Sequence, residues 1–159
     1  IARGIGEELN IVERFPDLHL VLANAGTAIS TPSIFRELIH KTNAPMAGAP
    51  PVETYASLIN WLSEQRNDLQ PIAETIEPAI SDTIAALKAA DADLVRMTGS
   101  GATCFGVYET AELAQTASRA LSKQHPHWWV KAAQTRSFGF DRVDTQTSTL
   151  PLVQFEASQ

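Results

Sequence analysis

Two short apolar segments joined by a glycine-rich connection constrain the fold of this chain more than any other feature. Residues 94–97 and 103–108 have the composition of buried strands, and residues 98–102 lie between them with two glycines two positions apart. So short a connection returns the second strand beside the first in the opposite direction. The sequence therefore predicts an antiparallel hairpin within the chain.

Further strands are predicted on either side of the hairpin. Residues 19–23 form an apolar run that ends at a turn-like Asn-Ala-Gly segment, which is typical of a buried strand. Residues 128–133 combine aromatic and β-branched side chains and are predicted to form the last strand. Residues 4–12 are predicted to form an opening strand.

Helices are predicted where a start signal precedes an apolar stripe. The Thr31 hydroxyl can cap free backbone N–H groups, and Pro32 suits the first helical position, so a short helix is predicted from there through residue 38. A loop with no apolar period follows over residues 43–51. The remaining helices are predicted to begin at Val52, Pro71 and Pro78, and after a cap at Thr110.

This order of elements predicts an α+β fold. Strands that alternate with helices around a hairpin favour helices packed on one face of a mostly antiparallel sheet. A split β-α-β sandwich of the ferredoxin-like kind satisfies the order. A chain of 159 residues is long enough for one domain, which at this size buries roughly 70% of its unfolded surface. We expect a single domain over residues 1–159, with a loosely packed tail from about residue 141.

Charge and cysteine content exclude several classes of function. The formal net charge is −6 and the charges are interspersed, so no nucleic-acid partner is expected. No apolar run approaches the roughly 20 residues that span a membrane, and no membrane partner is expected. The single Cys104 excludes an internal disulfide and a multi-cysteine zinc site, and it is compatible with a cytoplasmic location. We expect Cys104 to be a buried, inert thiol. No metal site is expected, because His125 and His127 have no third ligand cluster.

The glycine-rich connection is also the segment best suited to bind a ligand. Its glycines can adopt positive φ angles and turn successive N–H groups towards one point, which suits an anion such as phosphate. It is also consistent with a plain turn between strands, and both interpretations stay open here. Neither common nucleotide-binding pattern is present, because no Gly-Lys-Ser/Thr follows and the next element is a strand. Ser100 lacks the flanking glycines of a hydrolase nucleophile.

Four segments together resemble one family of small-molecule kinases. Residues 97–105 resemble the third conserved motif of GHMP kinases, in the form typical of the branch that acts on diphosphocytidyl-methylerythritol. Residues 30–35 (Ser-Thr-Pro-Ser-Ile-Phe) resemble a helix start of that branch, and residues 4–7 resemble the segment that opens its C-terminal half. Residues 128–130 (Trp-Trp-Val) resemble a late strand of bacterial members. The segments occur in the family's order.

The resemblance implies the C-terminal domain of an ATP-dependent kinase that phosphorylates the 2-hydroxyl of 4-diphosphocytidyl-2-C-methyl-D-erythritol. That reaction is a step in non-mevalonate isoprenoid precursor synthesis. By this resemblance three residues lie at the cytidine pocket of the substrate: Ile5, Thr31 and Phe35. Five others lie near the ATP phosphates: Gly99, Ser100, Gly101, Ala102 and Thr103.

The resemblance also implies that parts of the enzyme lie outside this chain. The family carries a glycine- and serine-rich ATP loop and a catalytic Lys and Asp in its N-terminal half, whereas this chain has no such loop and opens with Ile1. We therefore expect no catalytic residue here. ATP and Mg²⁺ are expected to bind mainly to the absent N-terminal domain, and the isolated chain is expected to be inactive.

Two alternatives stay open. A free-standing ferredoxin-like domain that binds a metabolite through the glycine-rich connection would show the same order of elements. The C-terminal half of another GHMP kinase, acting on mevalonate, homoserine or galactose, would share the glycine-rich motif. The segment at residues 30–35 argues against that second alternative, by resemblance alone.

Overall fold

Six strands and five helices lie within the part of the chain that the computed structural model describes, which is residues 2–3, 8–9, 15–39, 43–44, 46, 48 and 54–135. The strands are β1 (Ala2–Arg3), β2 (Glu8–Leu9), β3 (His19–Asn24), β4 (Leu94–Met97), β5 (Cys104–Tyr108) and β6 (Trp129–Gln134). The helices are α1 (Thr31–Glu37), α2 (Tyr55–Glu64), α3 (Gln70–Ile76), α4 (Ala79–Ala89) and α5 (Ala111–Gln124).

The main sheet has four strands in the spatial order β4-β5-β3-β6, and all three pairings are antiparallel. The central strand β3 pairs Val21 with Gly106 on one side and with Ala132 on the other. This order, with helices between β3 and β4 and between β5 and β6, is that of a ferredoxin-like split β-α-β sandwich. The predicted fold class is confirmed. A separate two-stranded pair joins β1 to β2.

The core has two layers, one on each face of the sheet. Cys104 and Tyr108 of β5 are buried in the larger cluster together with residues of α4 and α5. Val107, between them, is buried instead in a second cluster with Leu58 of α2. Because successive strand residues point to opposite faces, the continuous apolar run of β5 needs cover on both. The expectation that all helices pack on one face is therefore wrong for α2.

Helix starts follow the predicted signals in part. Thr110 accepts a hydrogen bond from the Leu113 N–H at 3.2 Å, so the predicted cap of α5 is confirmed. Helix α2 begins at Tyr55 rather than at residue 52, because Thr54 and Ser57 form a reciprocal capping box there. Pro71 lies in the first turn of α3, and Pro78 immediately precedes α4.

Cys104, Trp128 and Trp129 occupy the kinds of position expected of structural residues. Cys104 is fully buried, and burial followed by the charge of Glu74 raises the pKa of its thiol to about 12, as expected for an inert thiol. Trp128 packs against the larger cluster and stacks on His125 with ring centroids 3.9 Å apart, whereas Trp129 is 47% exposed.

Two sequence predictions lie wholly or mostly outside the described residues. The tail from about residue 141 and most of the opening strand predicted at residues 4–12 lie outside them, with only Glu8–Leu9 described as a strand. Among the described residues, no helix is long and apolar enough to cross a membrane. No group of three or more His, Cys, Asp or Glu is arranged to hold a metal in that same part of the chain.

The packing of α5 predicts a matched pair of stability effects. Leu121 is 1% exposed in the larger cluster, and Leu113 on the same helix is 52% exposed. We expect Leu121→Ala to lower the free energy of unfolding by about 3 kcal/mol, through lost burial and a residual cavity. Leu113→Ala should cost less than about 1 kcal/mol. Urea unfolding followed by circular dichroism measures both, and equal losses would contradict the assigned orientation of α5.

Candidate functional site

The glycine-rich connection forms a closed turn between β4 and β5. The Thr98 N–H donates to the Thr103 carbonyl at 2.9 Å, and the Gly101 N–H donates to the Thr98 carbonyl at 3.0 Å. Gly99 and Gly101 have φ angles of +54° and +93°, in the region that glycine adopts without a steric cost. We call residues 98–103 the glycine turn.

Two backbone donors of the glycine turn remain available to a ligand. Because the Gly101 N–H is engaged with Thr98, it does not face a ligand while the turn is closed. The N–H groups of Gly99 and Ser100 have no hydrogen-bond acceptor within the described part of the chain. Both residues line an open cleft. Adjacent free N–H groups at a turn suit an anionic group.

The cleft has a volume of about 780 Å³ and lies where four parts of the chain meet. Helix α1, the glycine turn, the connection between α2 and α3, and a short part of the loop after α1 each contribute to its wall. The lining residues are Thr31, Phe35, Leu38, Asn43, Ala44, Arg66, Asn67, Asp68, Leu69, Gly99 and Ser100. A volume of this size accommodates a small organic ligand.

Helix α1 is attached to the glycine turn by a pair of hydroxyl groups. Thr31 Oγ1 and Ser100 Oγ lie 2.7 Å apart, within hydrogen-bond distance. The prediction that Thr31 caps α1 is wrong: Thr31 is the first helical residue, and no side chain caps this helix. Phe35 lies one turn further along the same helix, and 49% of its surface remains exposed at the cleft. An exposed aromatic face in a cleft is suited to stack on a planar ring.

Three other residues singled out from the sequence are described by the structure and do not line the cleft. Ala102 is 5% exposed and belongs to the larger core cluster. Thr103 Oγ1 accepts a hydrogen bond from Asn24 Nδ2 at 3.2 Å, which connects the turn to the end of β3. Gly101 supports the turn from within. Ile5 lies outside the described residues.

The connection between α2 and α3 contributes residues that the sequence analysis did not identify. Arg66 Nε donates to Asp68 Oδ1 at 2.6 Å, and its Nη2 donates to the Ala44 carbonyl at 2.9 Å. Asn43 Nδ2 donates to the other oxygen of Asp68 at 2.7 Å. Asn67 contacts the glycine turn directly. The only local signal is a run of Arg-Asn-Asp between two helical patterns, which is also typical of an ordinary connecting turn.

Comparison with known proteins matches part of this chain to a family of kinases. Residues 52–127 match the family model described as GHMP kinases C terminal. The matched region includes α2 to α5 and the hairpin with its glycine turn. Residues 52–127 therefore belong to a GHMP kinase C-terminal domain, and the resemblance seen in the sequence is confirmed.

Curated relatives indicate one kind of kinase within that family. The 4-diphosphocytidyl-2-C-methyl-D-erythritol kinase of Chelativorans sp. (strain BNC1) is 45% identical over 137 residues, which cover 86% of this chain and 47% of that protein. A protein of the same name from Roseobacter denitrificans is 48% identical over 136 residues, which cover 84% of this chain and 46% of that protein. The chain thus spans about half the length of the curated relatives that it matches.

A solved structure has the same fold. The crystal structure of a 4-(cytidine 5'-diphospho)-2C-methyl-D-erythritol kinase matches with a TM-score of 0.62 and 26% identity. The match covers 82% of this chain and 48% of that protein.

The two glycines of the turn should respond differently to an added methyl group. A Cβ at Gly101 would lie 2.8 Å from Met97 Sδ and 3.4 Å from Ile29 Cγ2, at a φ of +93°. A Cβ at Gly99 meets no atom within 4 Å, at a φ of +54°. We expect Gly101→Ala to lower the free energy of unfolding by about 3 kcal/mol, through strain and overpacking. Gly99→Ala should cost about 1 kcal/mol.

Urea unfolding of the two variants measures this difference. Equal losses, or a larger loss for Gly99→Ala, would contradict the close packing beneath Gly101.

Proposed function

We propose that this chain is the C-terminal domain of a kinase that transfers a phosphoryl group from ATP to the 2-hydroxyl of 4-diphosphocytidyl-2-C-methyl-D-erythritol. The reaction belongs to the non-mevalonate route to isoprenoid precursors, and we assign the enzyme to the cytoplasm. The observation that carries the proposal is that one cleft is lined both by the exposed Phe35 and by Gly99 and Ser100, whose N–H groups are free within the described part of the chain. Relatives that bear this kinase's name support the choice of substrate.

The apolar side of the cleft suits the cytidine part of the substrate. A pyrimidine ring can stack on the exposed face of Phe35, and stacking of a base on an aromatic side chain contributes about 1–3 kcal/mol. Thr31 lies one helical turn away with its hydroxyl at 2.7 Å from Ser100. It therefore lies between the proposed cytidine site and the glycine turn. The proposal also includes Ile5 at the cytidine site, on the basis of the resemblance.

The glycine turn suits the phosphate groups. Phosphoryl transfer requires alignment and neutralisation of charge more than covalent chemistry by the protein. The N–H groups of Gly99 and Ser100 fit an anionic oxygen, so these two residues would contact phosphate when ATP, which supplies the transferred group, is bound. Gly101, Ala102 and Thr103 maintain the shape of the turn around these donors.

The chain's length limits what it does alone. It spans about half the length of its relatives, and we assign most of the ATP and Mg²⁺ binding, and the catalytic groups, to an N-terminal domain outside this chain. That domain is also the proposed partner of this one. We expect the 159 residues alone to transfer no phosphate.

The direct test is a phosphoryl-transfer assay on the complete reading frame. It offers ATP, Mg²⁺ and the diphosphocytidyl alcohol, with mevalonate, homoserine and galactose as parallel acceptors. We expect phosphorylation of the cytidyl alcohol alone. Transfer to another acceptor would retain the kinase family and reject the proposed substrate. No transfer to any acceptor would favour the alternative, a free-standing ferredoxin-like domain that binds a metabolite.

A substitution at Phe35 tests the proposed cytidine site. Loss of a stacking partner worth about 1.4 kcal/mol corresponds to a tenfold loss of affinity. We therefore expect Phe35→Ala to raise the KM for the cytidyl alcohol about tenfold and to leave the KM for ATP within about twofold. Trp129→Ala is the matched control, because Trp129 is similarly exposed, at 47%, but does not line the cleft. An unchanged KM in Phe35→Ala would remove Phe35 from the site.

A further inference from the structure

Asn67, in the connection between α2 and α3, binds the end of β4 and the glycine turn through its side-chain amide nitrogen. Its Nδ2 donates to the Met97 carbonyl at 2.9 Å and to the Gly99 carbonyl at 2.8 Å. Its Oδ1 accepts the Leu69 N–H at 3.1 Å, which orients the amide at the start of α3. The oxygen of the side chain is thus held at the start of α3, and its nitrogen binds the carbonyls of the two residues that flank Thr98.

This contact replaces a missing neighbour strand. β4 is an edge strand of the sheet, so one side of its backbone has no strand beside it. At Met97 that open side is occupied by side chains from the beginning of α3: the Met97 N–H donates to Gln70 Oε1 at 3.0 Å, and its carbonyl accepts from Asn67. The entry to the glycine turn is therefore anchored to α3 as well as to β5.

The bond to the Gly99 carbonyl also determines the direction of a proposed phosphate donor. A trans peptide unit is planar, and its N–H points opposite to its carbonyl. The preceding anchored peptide illustrates this: the Met97 carbonyl faces Asn67 while the Thr98 N–H donates to Thr103 on the other side. Holding the Gly99 carbonyl at Asn67 likewise sets the direction of the Ser100 N–H. On the other side of the turn, the Ser100 hydroxyl is held by Thr31.

We propose that Asn67 is a positioning residue that orients the Ser100 N–H for the phosphate groups of ATP. This inference rests on the proposed function. Asn67 acts through the glycine turn and is not itself proposed to contact the reacting atoms. Without its two donors, the Gly99–Ser100 peptide is free to rotate, and the free energy gained from binding phosphate is reduced by the cost of ordering it again.

The test is Asn67→Asp in the complete reading frame. Aspartate has nearly the same shape and can still accept the Leu69 N–H, but it has no hydrogens for the carbonyls of Met97 and Gly99 and repels both. We expect the dissociation constant for a non-hydrolysable ATP analogue with Mg²⁺, measured by calorimetry, to rise about tenfold. The dissociation constant for the cytidyl alcohol should stay within about twofold. Amide hydrogen exchange of Thr98 and Gly101, whose N–H groups are hydrogen-bonded within the turn, should be about tenfold faster.

The matched control is Asn60→Asp, which introduces the same charge on the exposed side of α2 and should change none of these quantities. Asn67→Ala, which also removes both donors, provides the same comparison if the aspartate variant does not fold. A folded variant with unchanged exchange and unchanged ATP affinity would overturn the proposal. So would equal losses of affinity for both ligands together with a lower melting temperature, since these would mean a purely structural role.

A different result would contradict the proposed function without deciding the role of Asn67. If the wild-type protein binds the ATP analogue but phosphorylates no cytidyl alcohol, the substrate assignment is wrong, and the ratio of ATP affinities still decides the role of Asn67. A wild-type protein that binds no ATP analogue would overturn both proposals.

Discussion

The close packing beneath Gly101 is the constraint on which the rest of the structure depends. A Cβ added at Gly101 would lie 2.8 Å from Met97 Sδ and in contact with Ile29 and Ile80, so no side chain fits there unless Met97 moves. The glycine turn can therefore lie directly on the core, and its hydrogen bonds join β4 to β5 in one register. β5 in turn pairs with the central strand β3, so the same turn organises the sheet and forms one wall of the cleft.

The main sheet was largely predictable from the sequence because its signals are local. Each of its four strands is a short apolar run between turn residues, and the Thr110 cap lies next to the helix that it starts. Apart from the start of α2, the errors concern partners distant in sequence. Thr31 forms a good local cap signal, but its hydroxyl lies beside Ser100, 69 positions away. Likewise, the apolar stripe of α2 predicts a buried face without indicating which side of the sheet it covers.

The cleft was predictable only in part, for the same reason. The resemblance singled out Thr31, Phe35, Gly99 and Ser100, and the structure brings these four residues to one cleft. The resemblance did not indicate Asn67, because a residue of a connecting turn makes this contact only when the fold brings it beside the end of β4. The anchored turn and the exposed aromatic face have complementary roles in our account. The turn presents backbone donors to phosphate, and Phe35 presents a ring to the base.

The central claim is that this one cleft receives both the cytidine and the phosphate groups. A crystal structure of the complete protein with the diphosphocytidyl alcohol and a non-hydrolysable ATP analogue tests it most directly. We predict the pyrimidine against Phe35 and a phosphate oxygen within hydrogen-bond distance of the Ser100 N–H. A cytidine ring bound away from α1, or phosphates with no contact to the glycine turn, would contradict the account.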